Sequence, residues 1–319
     1  MKVKLTDISY NLTWYCLASC KYCSICRQQD LVHLDEELAV TQIEKLFSDP
    51  MLDHLTTIHI TGGEPSLTPK MFYLADILAK YHQDVPMNTP ISGLYPYLME
   101  RLWLHIHKKL PQFRCDLAVE GPTKMIHERV RGIDTWEPAM LTLEKLKKIG
   151  VPMQFEMTVY KENYPYIIET YNLAQKNNVG FYLNFGRWSR RFGHSTDGFI
   201  FPSKEEQEAI WKQVDQIGWK NWRPLNKQKY ELQKAYWARK DIHFDCLMGL
   251  RSIDVNPFGD VYPCLMYPKG MCLGNIKTKT LSEMFASEDV KQILERIKKR
   301  TCQPCPFTCV VHAKNLKVS

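Results

Sequence analysis

The sequence has no apolar stretch long enough to cross a membrane. No segment of the 319 residues approaches the roughly 18 consecutive apolar residues that a membrane-spanning helix requires. The start of the chain, MKVKLTDISYNL, also lacks the apolar core of a secretory signal peptide. We therefore expect a cytoplasmic protein without a membrane partner, in a compartment where disulfide bonds are rare.

Internal repeats and low-complexity tracts are also missing, and the excess of positive charge is small. The net charge is +7, with 45% apolar and 24% charged residues, as in ordinary soluble globular proteins. At roughly 150 residues per domain, the length predicts one large domain, alone or with one small domain. Because the lysines and arginines are expected on solvated helix faces, nucleic acid is not expected as a partner.

Cysteine is abundant, with eleven residues in the chain. In a reducing compartment this number indicates metal binding or catalysis. Cys16, Cys20 and Cys23 form a C-x3-C-x2-C pattern directly after the first predicted strand. Three thiolates on one loop can hold three irons of a [4Fe–4S] cubane, which leaves the fourth iron free to bind a small molecule. A zinc site or a cluster of buried thiols is the alternative, and Cys26 is expected to be structural.

Short apolar strands alternate with amphipathic helices over about the first 200 residues. The predicted strands span residues 4–14, 55–61, 85–92, 113–120, 151–160 and 180–186. Six strand–helix units predict a parallel sheet with crossover helices, as an open doubly wound sheet or an incomplete barrel. In both arrangements a ligand binds at the C-terminal ends of the strands.

Two helices are predicted beyond these units. Ser203 and Glu206 predict a capping box at the start of a helix over residues 203–218. The basic, aromatic segment 217–240 is interpreted as an amphipathic helix with aromatics in the core and lysines in water, and base stacking is the alternative. Before both helices, three arginines follow the sixth strand and are candidates to bind an anionic substrate: Arg187, Arg190 and Arg191.

A second motif, TGGEP, stands at the end of the second predicted strand and comprises Thr61, Gly62, Gly63, Glu64 and Pro65. The two glycines are expected to let the backbone approach a ligand closely. The Glu64 carboxylate is expected to accept an ammonium group. Glycine-rich strand ends are common turns, so the motif alone is weak, but its position one strand after the cysteine loop makes the combination specific.

Together the two motifs resemble the radical S-adenosylmethionine (radical SAM) superfamily. Its cluster loop matches Cys16, Cys20 and Cys23, and its glycine-rich site for the SAM amino group matches Thr61–Pro65. The resemblance implies a partial (βα)6 TIM-like barrel, a [4Fe–4S] cluster at an open three-cysteine site, and bound SAM. It also implies reductive cleavage of SAM to a 5′-deoxyadenosyl radical, with a one-electron donor such as flavodoxin or ferredoxin.

Further pocket residues follow from a subgroup of this family. The segment AVEGPTKMIHERVRG, residues 118–132, resembles the subgroup that carries a C-terminal SPASM or shorter twitch domain. There, an arginine that matches Arg131 commonly faces the SAM carboxylate, and residues matching Ser92 and Glu120 line the SAM and substrate pocket. Tyr22 is expected to offer an aromatic face to a ligand.

Cysteines return near the C-terminus. Cys246 and Cys264 flank the segment NPFGD, a predicted hairpin turn, and Cys302 and Cys305 form a C-x2-C pair. This pattern resembles the twitch domain, which implies one auxiliary [4Fe–4S] cluster on these four cysteines, with Cys309 as an alternative ligand. A zinc site is the other interpretation, although zinc ribbons usually carry a C-x2-C pair on both sides.

The resemblance covers about residues 5–185 and 246–309. We predict a radical SAM core over residues 1–200, a helical connector over 201–245 and a twitch or SPASM-like domain over 246–319. An alcohol-oxidising role is not expected, because Leu265 and Met266 stand where family dehydrogenases carry an acidic or substrate-binding side chain.

The expected substrate is a small polar metabolite, sugar-like or nucleotide-like, from which the radical abstracts a hydrogen atom. This expectation depends on the 15 residues before Cys16, too few for the leader-binding domain of peptide-modifying relatives. The alternative is a maturase that modifies a ribosomally made peptide or protein. A more remote alternative is a non-catalytic zinc or nucleic-acid-binding module.

Overall fold

Strands and helices alternate from residue 7 to residue 185. The structure is a computed structural model that describes residues 3–25, 33–186, 202–243, 246–264, 271–298 and 317–318. The strands are β1 Asp7–Thr13, β2 Thr57–Gly62, β3 Met87–Ile91, β4 Arg114–Ala118, β5 Met153–Val159 and β6 Gly180–Phe185. The helices are α1 Val40–Phe47, α2 Lys70–Tyr81, α3 Pro96–Lys109, α4 Lys124–Arg131, α5 Trp136–Lys148 and α6 Ile167–Lys176. Each of the six predicted strands overlaps an observed strand.

The second part of the chain adds helices and a hairpin. Its elements are α7 Lys204–Ile217, α8 Pro224–Trp237, β7 Ile242–His243, β8 Ser252–Val255, β9 Asp260–Tyr262, β10 Gly274–Asn275, α9 Leu281–Ala286, α10 Glu288–Lys298 and β11 Lys317–Val318. The predicted capping box at the start of α7 is confirmed. Ser203 Oγ accepts a hydrogen bond from Glu206 N at 3.3 Å, and Glu206 Oε2 accepts one from Ser203 N at 2.6 Å.

One sheet runs through both parts of the chain. Strands β1 to β6 pair in sequence order and in parallel, as strand–helix units require. On the other side of β1, β8 pairs in parallel, β9 pairs antiparallel with β8, and β10 pairs antiparallel with β9. Among the described strands, β6 and β10 end the order, so the barrel is open, as the predicted partial barrel requires.

The predicted hairpin turn at NPFGD connects β8 to β9. The backbone N–H of Asn256 donates to the carbonyl of Asp260 at 3.0 Å, and Asn256 Oδ1 accepts from Asp260 N at 2.8 Å. Gly259 has a φ of +91°, a left-handed conformation that favours glycine. Because β8 pairs with β1, this turn folds β9 back along β8 and extends the sheet beyond the first strand of the core.

The two faces of β5 and β6 differ in polarity because side chains alternate along a strand. The face toward the helices is apolar and buried: Phe155, Met157, Val159, Phe181, Leu183 and Phe185. The opposite face is polar and only partly buried at several positions: Gln154, Glu156, Thr158, Tyr182 and Asn184. This second row lines the inside of the open barrel, which therefore offers hydrogen-bonding groups rather than a packed apolar core. We call it the inner row.

Helix α8 covers the outer edge of β6. Tyr230 is buried, and its hydroxyl accepts a hydrogen bond from the backbone N–H of Leu183 at 2.9 Å. Trp222 and Trp237 are also buried, and Trp219 and Tyr236 are partly buried against the core, as the interpretation of the segment 217–240 as an amphipathic helix predicts. The expectation for its lysines is wrong at one position, because Lys229 is only 1% exposed.

None of the helices in the described part of the chain has the length and apolar character needed to cross a bilayer.

Replacing Tyr230 by Phe tests how α8 protects this edge. The substitution keeps the ring and leaves the buried N–H of Leu183 without its acceptor, which costs about 1–3 kcal/mol. Urea denaturation of both proteins measures the loss. Tyr73→Phe is the control, because Tyr73 is 54% exposed and its loss of a hydroxyl is expected to change nothing. Equal stability of Tyr230→Phe and wild type would contradict the assignment.

Candidate active site

The three cysteines of the C-x3-C-x2-C pattern lie on the loop that follows β1. Cys20 is buried, and Cys16 and Cys23 are half-buried. The backbone N–H of Cys23 donates to the carbonyl of Cys20 at 3.1 Å, which closes a tight turn. Burial raises the pKa of the Cys16 thiol to about 11 and that of Cys20 to about 12, against the opposing charge of Arg131. A metal that binds here must therefore displace protons from these thiols.

The TGGEP motif is bonded to the cysteine loop through its backbone. The N–H of Gly63 donates to the carbonyl of Thr13 at 2.7 Å, and the N–H of Glu64 donates to the carbonyl of Tyr15 at 2.8 Å. A Cβ on Gly63 would lie 2.3 Å from Tyr15 O, and one on Gly62 would lie 2.1 Å from Thr13 O. The glycines therefore make room for the backbone at Thr13 and Tyr15, whereas the sequence predicted that they make room for a ligand.

Helix α4 holds the same loop from the other side. The carbonyls of Arg131 and Val130, at the C-terminal end of the helix, accept hydrogen bonds from Ser19 N at 3.2 Å and Lys21 N at 3.0 Å. Gly132 ends the helix with a φ of +74°, and a Cβ there would lie 2.5 Å from Ser19 O. This role of Gly132 was not predicted from the sequence. The pair Arg-Gly after an amphipathic helix was the available signal, because glycine commonly follows a helix end.

A buried carboxylate, Glu120, lies next to the cysteine loop. Its Oε1 accepts a hydrogen bond from the Tyr22 hydroxyl at 2.5 Å, and its Oε2 accepts one from Thr158 N at 2.9 Å. Arg131 Nη1 lies 3.9 Å from Oε1. Burial raises the pKa of Glu120, and the Arg131 charge opposes this shift. Tyr22, expected to offer its ring to a ligand, uses its hydroxyl on Glu120 and packs edge-on against Tyr160.

Glu64 is also buried, at 2% exposure, and its carboxylate has three donors. Oε2 accepts from the backbone N–H of Ser92 at 2.6 Å, and Oε1 accepts from the N–H and the hydroxyl of Ser66. A carboxylate can accept about four hydrogen bonds, so one direction is left for a further donor. The structure thus joins two predicted site residues, Glu64 and Ser92.

Two buried polar atoms of predicted site residues have no partner among the described residues: the hydroxyl of Ser92 and Nε of Arg131. Buried polar groups are nearly always hydrogen-bonded, so such atoms call for a ligand or water. The Ser92 hydroxyl and the Arg131 Nε–H can donate to the carboxylate of an amino acid. The remaining acceptor direction of Glu64 can accept from its ammonium group. The residues present therefore fit the methionine part of SAM.

Sequence analysis also missed His127. Its Nδ1 accepts a hydrogen bond from Glu120 N at 3.1 Å, so Nε2 carries the proton and donates to Thr135 Oγ1 at 2.8 Å. Burial, followed by the charge of Arg131, lowers the pKa of His127 to about 3. The neutral ring fixes the backbone of Glu120 at the end of β4. A single histidine inside a helix pattern carries no sequence signal for such a contact.

Glu37 is a third residue without a sequence signal. Its Oε1 accepts from Thr13 Oγ1 at 2.6 Å and from Trp14 N at 3.0 Å, and its Oε2 accepts from Lys70 Nζ at 3.2 Å. The next residue, Leu38, donates its N–H to the carbonyl of Pro257 at 2.7 Å. The segment around Glu37 thus connects the start of the cysteine loop to the C-terminal hairpin.

The structure describes two of the proposed auxiliary-cluster cysteines. Cys264, just after β9, is buried, and Cys246, before β8, is half-buried. The other predicted residues lie outside the described residues: Cys26, Arg187, Arg190, Arg191, Leu265, Met266, Cys302, Cys305 and Cys309. The ligand set of this site stays a prediction.

Comparison with known protein families decides the class. The family model described as the radical SAM superfamily matches residues 10–174, slightly more than half of the chain. The chain belongs to the radical SAM superfamily. A second model, the SPASM iron–sulfur cluster-binding domain, matches residues 246–309. This radical SAM protein is therefore an enzyme that uses a [4Fe–4S] cluster and SAM and carries auxiliary iron–sulfur in its C-terminal domain.

Several curated radical SAM relatives match over most of the chain. The antilisterial bacteriocin subtilosin biosynthesis protein AlbA of Bacillus subtilis is 25% identical over 93% of this chain, which spans 63% of AlbA. The AdoMet-dependent heme synthase of Methanosarcina barkeri is 23% identical over 90% of this chain and 85% of its own length. The PqqA peptide cyclase of Gluconobacter oxydans is 23% identical over 86% of this chain and 74% of its own length.

Solved structures share the fold. Streptococcus suis SuiB, bound to its precursor peptide SuiA, superposes with a TM-score of 0.69 at 12% identity over 97% of this chain and 71% of SuiB. The open barrel with its C-terminal extension is therefore a fold that a solved structure also has. The domain boundaries and the roles of individual residues stay predictions.

Glu64→Gln tests the predicted role of Glu64 in SAM binding. The amide oxygen can still accept from Ser92 N and the amide nitrogen can donate to Ser66 Oγ. Only the long 3.4 Å hydrogen bond from Ser66 N is lost, so the local structure is expected to survive. Loss of the charge removes a charge-assisted hydrogen bond of about 1.5–3 kcal/mol. We expect SAM affinity, measured by anaerobic calorimetric titration, to fall about ten- to a hundredfold.

Two comparisons accompany this titration. Ser66→Ala removes one donor to the same carboxylate and keeps the charge, so SAM affinity is expected to remain near the wild-type value. Iron content is expected to be unchanged in both variants, because neither residue is a predicted cluster ligand. If Glu64→Gln binds SAM as tightly as wild type, the SAM ammonium must bind elsewhere.

Proposed function

We propose that this radical SAM enzyme is a maturase that modifies a ribosomally made peptide or protein. The observation that carries the proposal is the set of relatives aligned over both matched domains. One is named for bacteriocin biosynthesis, one for cyclising the PqqA peptide, and one structure holds a precursor peptide. The expectation from the sequence was a small polar metabolite, and these relatives support the peptide alternative better.

The cysteine loop is the proposed site of the first cluster, with Cys16, Cys20 and Cys23 as ligands. When bound, this cluster and SAM supply the 5′-deoxyadenosyl radical that removes a hydrogen atom from the substrate, using an electron from a partner protein. Hydrogen bonds from three separate segments hold the loop in place, so its thiols are preorganised for the metal.

The protein's own residues orient SAM. In the proposed pose, Glu64 accepts a hydrogen bond from the SAM ammonium group through its remaining acceptor direction. Ser92 Oγ and Arg131 Nε donate to the carboxylate or to a hydroxyl group of SAM. Glu120 balances the buried charge of Arg131 and accepts the hydrogen bond of the Tyr22 hydroxyl. Because these groups are buried, their electrostatic attraction to SAM acts in a low-dielectric site from which water is excluded.

The inner row of the barrel is the proposed substrate surface. It lies on β5 and β6, which continue the sheet beyond β2, β3 and β4, the strands that lead into Glu64, Ser92 and Glu120. Thr158 of the inner row donates its N–H to Glu120, and barrel enzymes bind substrates at this end of their strands. Its amide, hydroxyl and carboxylate side chains suit the many hydrogen-bonding groups of a peptide backbone. A polar metabolite would also find partners here, so an experiment must decide between the two classes.

The experiment compares two substrate panels on the reconstituted enzyme with SAM and dithionite. One panel is an mRNA-displayed library of short random peptides, and the other contains GTP, other nucleotides and sugars. We expect the peptides to raise 5′-deoxyadenosine formation above the substrate-free rate, and mass spectrometry to find peptides that have lost hydrogen. Stimulation by the metabolite panel alone would overturn the peptide assignment.

The cluster ligands are tested by iron content. With one cubane on the cysteine loop and one in the C-terminal domain, we expect about eight irons per chain. Replacing Cys16, Cys20 and Cys23 together by Ala is expected to leave about half of the iron and to abolish SAM cleavage. Cys115→Ala is the control, because this buried core cysteine is not a predicted ligand. Zinc in place of the residual iron would contradict the auxiliary cluster.

A further inference from the structure

Lys229 of α8 is a lysine buried inside the protein. It is 1% exposed, and its ammonium group donates a hydrogen bond to the hydroxyl of Tyr182, a residue of the inner row. The nitrogen also lies 4.1 Å from the centre of the Tyr182 ring. Lysine is rarely buried without a partner of opposite charge, so this position calls for an explanation.

The ammonium group of Lys229 is under-satisfied. It has three N–H donors, and within the described residues only the Tyr182 hydroxyl accepts from it. In the same part of the chain no carboxylate lies within 4.0 Å of its nitrogen, although Glu156 attracts it from farther away. Glu156 Oε1 instead accepts from Asn184 Nδ2 at 3.2 Å. Burial lowers the pKa of Lys229, and the attraction of Glu156 only partly offsets this shift.

A second under-satisfied group lies one helical turn further along α8. Gln233 is 1% exposed, and its Oε1 has no hydrogen-bond partner among the described residues. Residues four apart lie on the same face of a helix, so Lys229 and Gln233 form a polar stripe on a buried face. The Tyr182 hydroxyl, which accepts from Lys229, still has its own hydrogen to donate. The stripe and Tyr182 thus present unused donors and one unused acceptor.

This group lies next to the proposed SAM pocket. Tyr182 pairs with Glu156 across β5 and β6, and both side chains belong to the inner row. Thr158, whose N–H binds Glu120, follows Glu156 by two residues. Two residues of strand span about 6.6 Å, so the group lies one layer of side chains below the buried carboxylate that accompanies Arg131.

We infer that Lys229 and Tyr182 form a substrate-binding subsite that donates hydrogen bonds to an acceptor oxygen of the substrate, a carboxylate or a carbonyl. The inference rests on the proposed function, because it places a peptide in the open barrel. Such an oxygen supplies the acceptor that the buried ammonium lacks, and hydrogen bonds to a charged group are the strong ones. Gln233 Oε1 then accepts a backbone N–H of the same segment.

Binding is tested directly with two small probes. In the holoenzyme with lysines carrying ¹³C at Cε, the Lys229 signal is identified by its absence in Lys229→Met. N-acetylglycine offers a carboxylate, and N-acetylglycinamide offers only carbonyls. We expect the signal to shift on addition of a probe. A response to the acid alone assigns a carboxylate, a response to both assigns a carbonyl, and a response to neither overturns the subsite.

Where Lys229→Met does not fold, Lys229→Arg, which keeps the charge, identifies the Lys229 signal by its absence. A further variant tests the partner of Lys229. Tyr182→Phe keeps the ammonium group and the ring and removes the hydroxyl that both accepts and donates. It is expected to weaken the response of the lysine signal to the probe. An undiminished response in Tyr182→Phe would overturn the role of Tyr182 and with it the two-residue subsite.

Activity with the peptide library separates the subsite from the proposed function. Lys229→Met is expected to raise the KM for library peptides about ten- to a hundredfold and to leave iron content and substrate-free SAM cleavage unchanged. Lys234→Met, an exposed lysine of the same helix, is the control and is expected to behave as wild type. Equal KM values for wild type and Lys229→Met, or parallel loss of iron, would overturn the inference.

If only metabolites raise 5′-deoxyadenosine formation by the wild-type enzyme, the peptide proposal is wrong but the subsite is not yet tested. The same variant pair then tests the subsite on the stimulating compound. Loss of binding in Lys229→Met but not in Lys234→Met supports the subsite, and unchanged binding in Lys229→Met overturns it.

Discussion

Backbone hydrogen bonds to one loop are the constraint on which the site depends. The loop with the three cysteines has no regular structure of its own, and segments on either side bond to its backbone. The TGGEP motif donates from Gly63 and Glu64, and the end of α4 accepts through Val130 and Arg131. A Cβ on Gly62, Gly63 or Gly132 would clash with the backbone oxygen of Thr13, Tyr15 or Ser19, so these three positions require glycine. The residues that present the thiols and those proposed to hold SAM are therefore parts of one bonded unit.

Buried charged side chains are the second feature on which the site depends. Glu64, Glu120 and Arg131 are all nearly inaccessible, and isolated charges at such positions would be costly. Backbone N–H groups, the Tyr22 hydroxyl and the Glu120–Arg131 attraction stabilise them. Ser92 Oγ and Arg131 Nε, which have no partner within the described parts of the chain, are the groups proposed to contact SAM. The same reasoning supports the proposed subsite at Lys229, whose ammonium group has one acceptor among the described residues.

The C-terminal hairpin is continuous with the barrel rather than attached to its surface. Strand β8 pairs in parallel with β1, the strand that leads into the cysteine loop. Glu37 binds the end of β1 while its neighbour Leu38 bonds to the hairpin turn at Pro257. The predicted division of the chain at residue 246 therefore separates two sequence units that share one sheet.

Local pattern in the sequence determined the six strands, the cysteine spacing, TGGEP and the hairpin turn, because each depends on residues close together in the chain. Tertiary structure decided what the glycines of TGGEP contact, how Glu64 reaches Ser92, and that His127 and Glu37 support the site. It also decided that Lys229, one lysine among several on a helix, is buried beside Tyr182. These features join residues far apart in sequence, so neither periodicity nor spacing could indicate them, and only the folded sheet brings them together.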